Sequence, residues 1–239
     1  MHDAPDRPPL RLGVLISGGG STLANLHARI ADGRLPGATI AQVISSRAAV
    51  RGVEIARSAG LPLVVLRPRD FPDGRAFSAA VAECLRAAQV NLVLLAGFLS
   101  LWHVPEDFAG RTLNIHPALL PRFGGRGMYG HHVHEAVLAA GERESGCTVH
   151  LVDEQYDHGP IVAQARVPVL PGDTPTSLAE RVAAAERELY PAVVRAVAEH
   201  GIEWLADFAT GRRPPLILEA PAGPRSPWAS RAGRDGTAE

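Results

Sequence analysis

The chain has 239 residues, enough for one large domain or two small ones. With 46% hydrophobic and 21% charged residues it has the composition of a globular protein with a substantial core, and a formal charge of -1 lends no bulk attraction to nucleic acid or a membrane surface. Two cysteines, Cys84 and Cys147, without CxxC or clustered ligand spacing, argue against a disulfide scaffold and suit small buried residues in a reducing compartment.

Residues 1–9 are polar and proline-rich, which predicts a flexible leader without the basic start and apolar run of a signal peptide. No apolar stretch approaches the length of a membrane span, so a cytoplasmic protein is expected. Leu10 to Ile16 reads as a buried strand, followed by Ser17-Gly18-Gly19-Gly20-Ser21-Thr22 and a helix through Ile30. A strand, a glycine-rich turn and a helix start together form an anion site, because glycines let the backbone approach and the first helical N–H groups are unpaired. Ser21 or Thr22 is expected to cap that helix and to donate to a phosphate oxygen. The turn is neither a Walker loop nor a clean GxGxxG, and a plain tight turn remains an alternative.

Strands are expected at 39–45, 62–66 and 91–96, with helices at 49–59 and 76–89 between them. The longer of these two carries Phe77, Val81, Cys84, Leu85 and Ala88 on one stripe. This alternation predicts a Rossmann-like, mostly parallel sheet with right-handed crossovers and helices on both faces. Ligands in such sheets bind beyond the carboxyl ends of the strands. The glycine turn and Gly97-Phe98-Leu99-Ser100 both lie at that edge.

In Leu113-Asn114-Ile115-His116-Pro117 the alternation of a strand puts Asn114 and His116 on one face, and Pro117 ends the strand. An amide beside an imidazole can bind a carbonyl oxygen that becomes negative. The same pair also fits a satisfied strand-end histidine next to a turn-forming asparagine. A glycine-rich stretch, 122–130, follows and could fold over a ligand or simply connect. A helix at 131–140 carries His131, His132 and His134, but neighbouring helical positions diverge, so no metal site is expected. Strands from Cys147 and from Ile161 predict a hairpin whose loop, Asp153 to Pro160, is rich in acids. Asp157 is the acid expected to face a histidine across the crevice and to raise its pKa, the alternative being a solvated turn in which Asp before Gly159-Pro160 is ordinary turn chemistry. A last long helix, 177–199, is capped by Asp173 or Thr174 and has Leu178, Val182, Ala185, Leu189 and Val193 as its buried stripe. Glu186 sits just off that stripe, and Pro191 should kink the helix. A main domain over 10–208 and a poorly ordered tail over 209–239, with one short strand at 216–218, complete the expectation.

The ordered set Ser17 to Thr22, Leu95-Ala96-Gly97-Phe98, Asn114-Ile115-His116-Pro117, Leu119-Leu120-Pro121, Thr148-Val149-His150, Asp157-His158-Gly159-Pro160 and Glu186 with Tyr190-Pro191 resembles the folate-dependent formyltransferases over roughly residues 11 to 200. That resemblance implies Asn114, His116 and Asp157 as a catalytic trio and 10-formyltetrahydrofolate as co-substrate, with no metal. It further implies Gly20, Ser21 and Thr22 on a substrate phosphate and Glu186 on its ribose. The backbone around Leu99, Ser100, Leu101 and Trp102, with Val152 and Asp153, would receive the folate. The implied acceptor is glycinamide ribonucleotide. An amino sugar nucleotide, water as in a formyltetrahydrofolate deformylase, or a non-catalytic folate- or nucleotide-binding role are the alternatives. Partners would be small molecules, with no nucleic acid and no membrane, on a monomer or homodimer. The sequence departs from the family pattern in Gly19, Ser100, His158 and Ala183, in Arg75 lying one place off the expected arginine, and in the longer loop 123–130. Each departure bears on the acceptor more than on the formyl chemistry.

Overall fold

The computed structural model describes residues 8–219. In chain order these form β1 (Leu10–Ile16), α1 (Ser21–Ala31), β2 (Ala38–Ser45), α2 (Arg51–Ser58), β3 (Leu63–Val65), α3 (Gly74–Ala87), β4 (Leu92–Leu95) and β5 (Thr112–His116). The second half adds α4 (His131–Ala139), β6 (Glu144–Leu151), β7 (Ile161–Pro168), α5 (Pro175–His200), α6 (Leu205–Ala209) and β8 (Leu216–Glu219). All eight strands join one sheet in the order β3-β2-β1-β4-β5-β6-β7-β8. Pairing is parallel except at β5–β6 and β6–β7, so β6 alone runs against the direction of the other seven strands. The chain order reverses between β1 and β4, which opens a crevice beyond their carboxyl ends.

The period of two along β1 decides which core each side chain joins. Leu12, Val14 and Ile16 point into the larger core with Leu23 and Leu26 of α1 and Leu178, Val182 and Leu189 of α5. Leu15 points the other way, onto Phe77, Val81 and Leu85 of α3. The stripe expected on α5 is buried throughout, and the helix starts with a capping box between Thr174 and Ser177 and proline at its first turn. Such a cap contributes about 1 kcal/mol. Asp173 sits beside it, held by Arg181.

The helix runs unbroken through Pro191, although proline lacks the N–H that would bond to the Arg187 carbonyl. Asn25 of α1 replaces that donor, its Nδ2 lying 2.7 Å from Arg187 O. Asn25 Oδ1 accepts from Arg29, which pairs with Glu188 at 2.5 Å. The donor missing at Pro191 is thus replaced by a tie between α1 and α5. Tyr190, fully buried, donates its hydroxyl to the carbonyls of Leu95 and Leu113 and so joins the ends of β4 and β5 to the same helix.

Two expectations are corrected and a third is met: the short strand expected at 216–218 is β8, which pairs in parallel with β7 from Ala163↔Leu216 to Arg166↔Glu219. Trp228 and the rest of 220–239, like the leader residues 1–7, lie outside the described residues. Cys84 is only half-buried, while Cys147 is buried as expected. The helix α1 is capped by neither Ser21 nor Thr22. Its N-cap is Gly20, at φ 71 with no side-chain bond, and a Cβ there would stand 2.5 Å from the Gly52 Cα. Close packing of this turn on α2 has taken the position that a capping hydroxyl would occupy.

Candidate active site

A crevice of about 540 Å³ opens at the carboxyl ends of β1, β4 and β5. The turn Gly18–Thr22 forms one wall and the segment 95–102 another, and Ser17 ties the two together. Its Oγ accepts from the Leu99 N–H at 2.9 Å and lies 2.6 Å from Ser46 Oγ. Asn114 and His116 form the floor, the hairpin loop 152–157 and the loop 125–131 face them, and Glu186 projects from α5.

At the floor the polar groups interlock. His116 Nε2–H donates to the Phe123 carbonyl at 2.8 Å, which turns Nδ1 toward Asp157 Oδ2, 3.4 Å away. The other carboxylate oxygen lies 3.3 Å from Asn114 Nδ2, and the Gly125 N–H donates to Oδ2 at 3.0 Å. Asn114 Nδ2 also donates to His150 Nε2 at 3.0 Å. His150 Nδ1–H is used on the Leu151 carbonyl, which leaves Nε2 free to accept in the neutral ring. Both hydrogens of the Asn114 amide are thus engaged. The longer of the two bonds, to Asp157, is the one an oxyanion could draw away.

Electrostatics amend one expectation. Asp157 does pull the His116 imidazole upward, but burial outweighs that pull and His116 lies below its ordinary range. Burial likewise raises the Asp157 carboxyl, yet contact with His150, the nearby His116 and the Gly125 N–H together hold it below the usual carboxylate range. Near pH 7 the pair is a neutral imidazole beside an ionised carboxylate. Negative charge developing on a bound carbonyl would shift that balance and draw a proton onto His116.

Glu186 is partly buried, and burial pushes its carboxyl up to about 7. Gly20, Ser21 and Thr22 line the crevice at the N-terminus of α1, where the first helical N–H groups have no intrahelical acceptor. Leu99, Ser100, Leu101, Trp102, Val152 and Asp153 line it as well. Trp102 is a wall from behind: its indole is buried against Phe108 and donates to the Ser78 carbonyl. Asp153 is paired with His158 at 2.8 Å, which gives that histidine a local partner. Of the α4 histidines, His131 and His134 line the crevice while His132 pairs outward with Glu135. Among the described residues no group of three or more His, Cys, Asp or Glu is arranged to hold a metal ion.

Sequence reading missed His150 as a member of this cluster. Alternation on β6 signalled that Thr148 and His150 share a face, but only the register Asn114↔His150 puts the ring against the amide. It also missed the loop backbone, where Phe123 and Gly125 fix the histidine and the carboxylate.

A family model described as formyl transferase matches residues 10–194. Phosphoribosylglycinamide formyltransferase of Mycobacterium tuberculosis is 42% identical over 212 residues, covering 87% of this chain and 95% of that protein. The chloroplastic phosphoribosylglycinamide formyltransferase of Arabidopsis thaliana is 45% identical over 201 residues, 82% of this chain and 68% of the plant protein. The human trifunctional purine biosynthetic protein adenosine-3 is 39% identical over 206 residues, and this chain spans 20% of its length. Among solved structures, glycinamide ribonucleotide transformylase 1 from Symbiobacterium toebii superposes with a TM-score of 0.75 at 44% identity, covering 80% of this chain and 88% of that one.

Proposed function

The chain belongs to the formyl transferase family, and on that premise we propose that it moves the formyl group of 10-formyltetrahydrofolate onto the amine of glycinamide ribonucleotide, the third step of de novo purine synthesis. The observation that carries this reading is the convergence of Asn114, His116 and Asp157 within hydrogen-bond and ion-pair distances at the crevice floor.

In the reaction the acceptor nitrogen bonds to the formyl carbon, the carbonyl oxygen becomes an oxyanion, and the bond from that carbon to the folate nitrogen then breaks. One proton must leave the acceptor amine and one must reach the departing nitrogen. Asn114 donates to the oxyanion with the hydrogen released from Asp157. Losing one such donor typically costs on the order of a hundredfold in rate. His116 takes up a proton as the oxyanion forms, held in place by the Phe123 carbonyl. Asp157 supplies the countercharge and orders the water through which the proton reaches the leaving nitrogen. Gly20, Ser21 and Thr22 hold the ribonucleotide phosphate, and Glu186 its ribose hydroxyls. The strand-end backbone from Leu99 to Trp102, with Val152 and Asp153, receives the pterin, for which an apolar wall with a few backbone hydrogen bonds is the fitting surface. Small-molecule partners and a cytoplasmic setting go with this reading, and both cysteines are free thiols, as a reducing compartment keeps them.

The test is tetrahydrofolate release, followed by absorbance, with purified protein, 10-formyltetrahydrofolate and glycinamide ribonucleotide. Turnover that requires the ribonucleotide is expected. Equal turnover without any amine would replace the proposal with a deformylase, and turnover only with an amino sugar nucleotide would move the acceptor. Tight folate binding with no turnover would leave a binding protein.

A further inference from the structure

Two anionic substrates would enter this crevice, one with a phosphate and one with the glutamate carboxylates of a folate. Its charged lining is nonetheless mostly acidic. Asp153, Asp157 and Glu186 face it, and among the described lining residues Arg126 is the one guanidinium. The phosphate turn offers N–H groups and hydroxyls but no cation, and the 97–102 segment offers none either. The charge an oxyanion would seek therefore sits on the loop between β5 and α4.

That loop has two arginines, and the fold uses only one. Arg122 pairs with Glu142 and lies over the Phe123 ring. Arg126 is exposed and makes no hydrogen bond or ion pair among the described residues. Its backbone is nonetheless well placed. The Met128 N–H donates to the Gly125 carbonyl at 3.1 Å, closing a four-residue turn with Arg126 and Gly127 at its centre. Gly127 has φ 91, the positive value that the third position of a type II turn requires. The same turn is anchored at its first residue, because the Gly125 N–H donates to Asp157 Oδ2 at 3.0 Å. Arg126 therefore stands one residue from a group bonded to the trio carboxylate, at the tip of a turn, with a long side chain free to move.

We infer that Arg126 binds an oxyanion of a bound substrate, phosphate or carboxylate, and that the 125–128 turn registers this contact against Asp157. The inference rests on the formyl-transfer reading for the identity of the substrates, and on the crevice alone for the anion site. Arginine suits the role because its planar fork meets a phosphate or carboxylate with two parallel hydrogen bonds.

Arg126→Ala and Arg126→Lys separate the possibilities. Among the described residues the side chain has no partner, so both variants should keep the melting temperature of the parent. With Arg126→Ala the KM for one substrate should rise about tenfold or more, as for the loss of one charge-assisted contact, with Arg126→Lys in between. A rise confined to glycinamide ribonucleotide assigns the phosphate. A rise confined to 10-formyltetrahydrofolate, absent with an analogue lacking the glutamate, assigns the carboxylate. Inorganic phosphate gives a readout that needs no turnover: it should raise the melting temperature of the parent more than that of Arg126→Ala if the phosphate is the ligand. If the parent fails to use the ribonucleotide, the functional reading falls and this phosphate shift still decides the anion site. Both KM values within twofold of the parent, with an unchanged phosphate shift, overturn the inference.

Discussion

Asn114 and His150 stand opposite each other in the antiparallel register of β5 and β6, with the Asn114 amide nitrogen 3.0 Å from His150 Nε2. Because His150 spends its other nitrogen on the Leu151 carbonyl, its acceptor lone pair is fixed toward the amide. The amide is thereby held with nitrogen, not oxygen, toward Asp157. His150 acts through Asn114, and its removal should cost less than removal of Asn114 itself. We expect Asn114→Ala to lower kcat on the order of a hundredfold, and His150→Ala by about tenfold, both with near-parental KM for folate. Equal losses would mean that His150 meets the reacting atoms directly.

Asp157 provides the one upward electrostatic pull on His116 from a charged side chain, and burial opposes it. Asp157→Asn removes the pull and leaves the burial, so the His116 titration should move to lower pH than in the parent. Imidazole NMR of the substrate-free protein reads this directly, and kcat should fall on the order of a hundredfold or more while the fold persists. A midpoint that rises, or turnover close to the parent's, would break the link between carboxylate and imidazole on which the proton path depends.

How much of this was readable beforehand follows from the range of each interaction. The strands β1, β2, β4 and β5 were legible because runs such as Leu92–Leu95 and alternations such as Thr112–His116 are local patterns. Asn114 and His116 were legible as a pair for the same reason. Gly20 as the cap of α1 was not, since its reason is the backbone of Gly52, more than thirty residues away. His150 required the β5–β6 register, and the sign of the His116 shift required knowing how deeply the ring is buried. The strand β8 was placed correctly in sequence but read as part of a loose tail, because a four-residue strand gives no sign of its partner until β7 is seen beside it. Local chemistry named the actors, and tertiary packing set their state.

Glu186 offers a pH test with a definite sign. Burial raises its carboxyl from 4.5 to about 7, so the folded protein favours the protonated form. The stability this contributes is present below about pH 4.5 and is lost as pH rises through about 7. Glu186→Gln cannot ionise, so its unfolding free energy should fall less than the parent's across that window. If the ionised carboxylate is what accepts from the ribose hydroxyls, the parent's KM for the ribonucleotide should fall as pH rises through about 7, and the Gln variant should show no such step. A parallel pH profile for both proteins would remove Glu186 from the acceptor site.

The tie between α1 and α5 gives a stability prediction in which two residues are tested together. Asn25 Nδ2 occupies the Arg187 carbonyl because Pro191 cannot. Asn25→Ala leaves that carbonyl to water and removes the acceptor of Arg29, a loss of about 1 kcal/mol by the usual worth of such a bond. Pro191→Ala restores a helical N–H to the same carbonyl, so the Asn25 side chain should matter less in that background. A double-mutant cycle by denaturant unfolding should therefore give a smaller cost for Asn25→Ala when residue 191 is alanine. If the cost is the same in both backgrounds, the contact with Arg29 and its pairing with Glu188 carry the stabilisation, and the proline has no part in it.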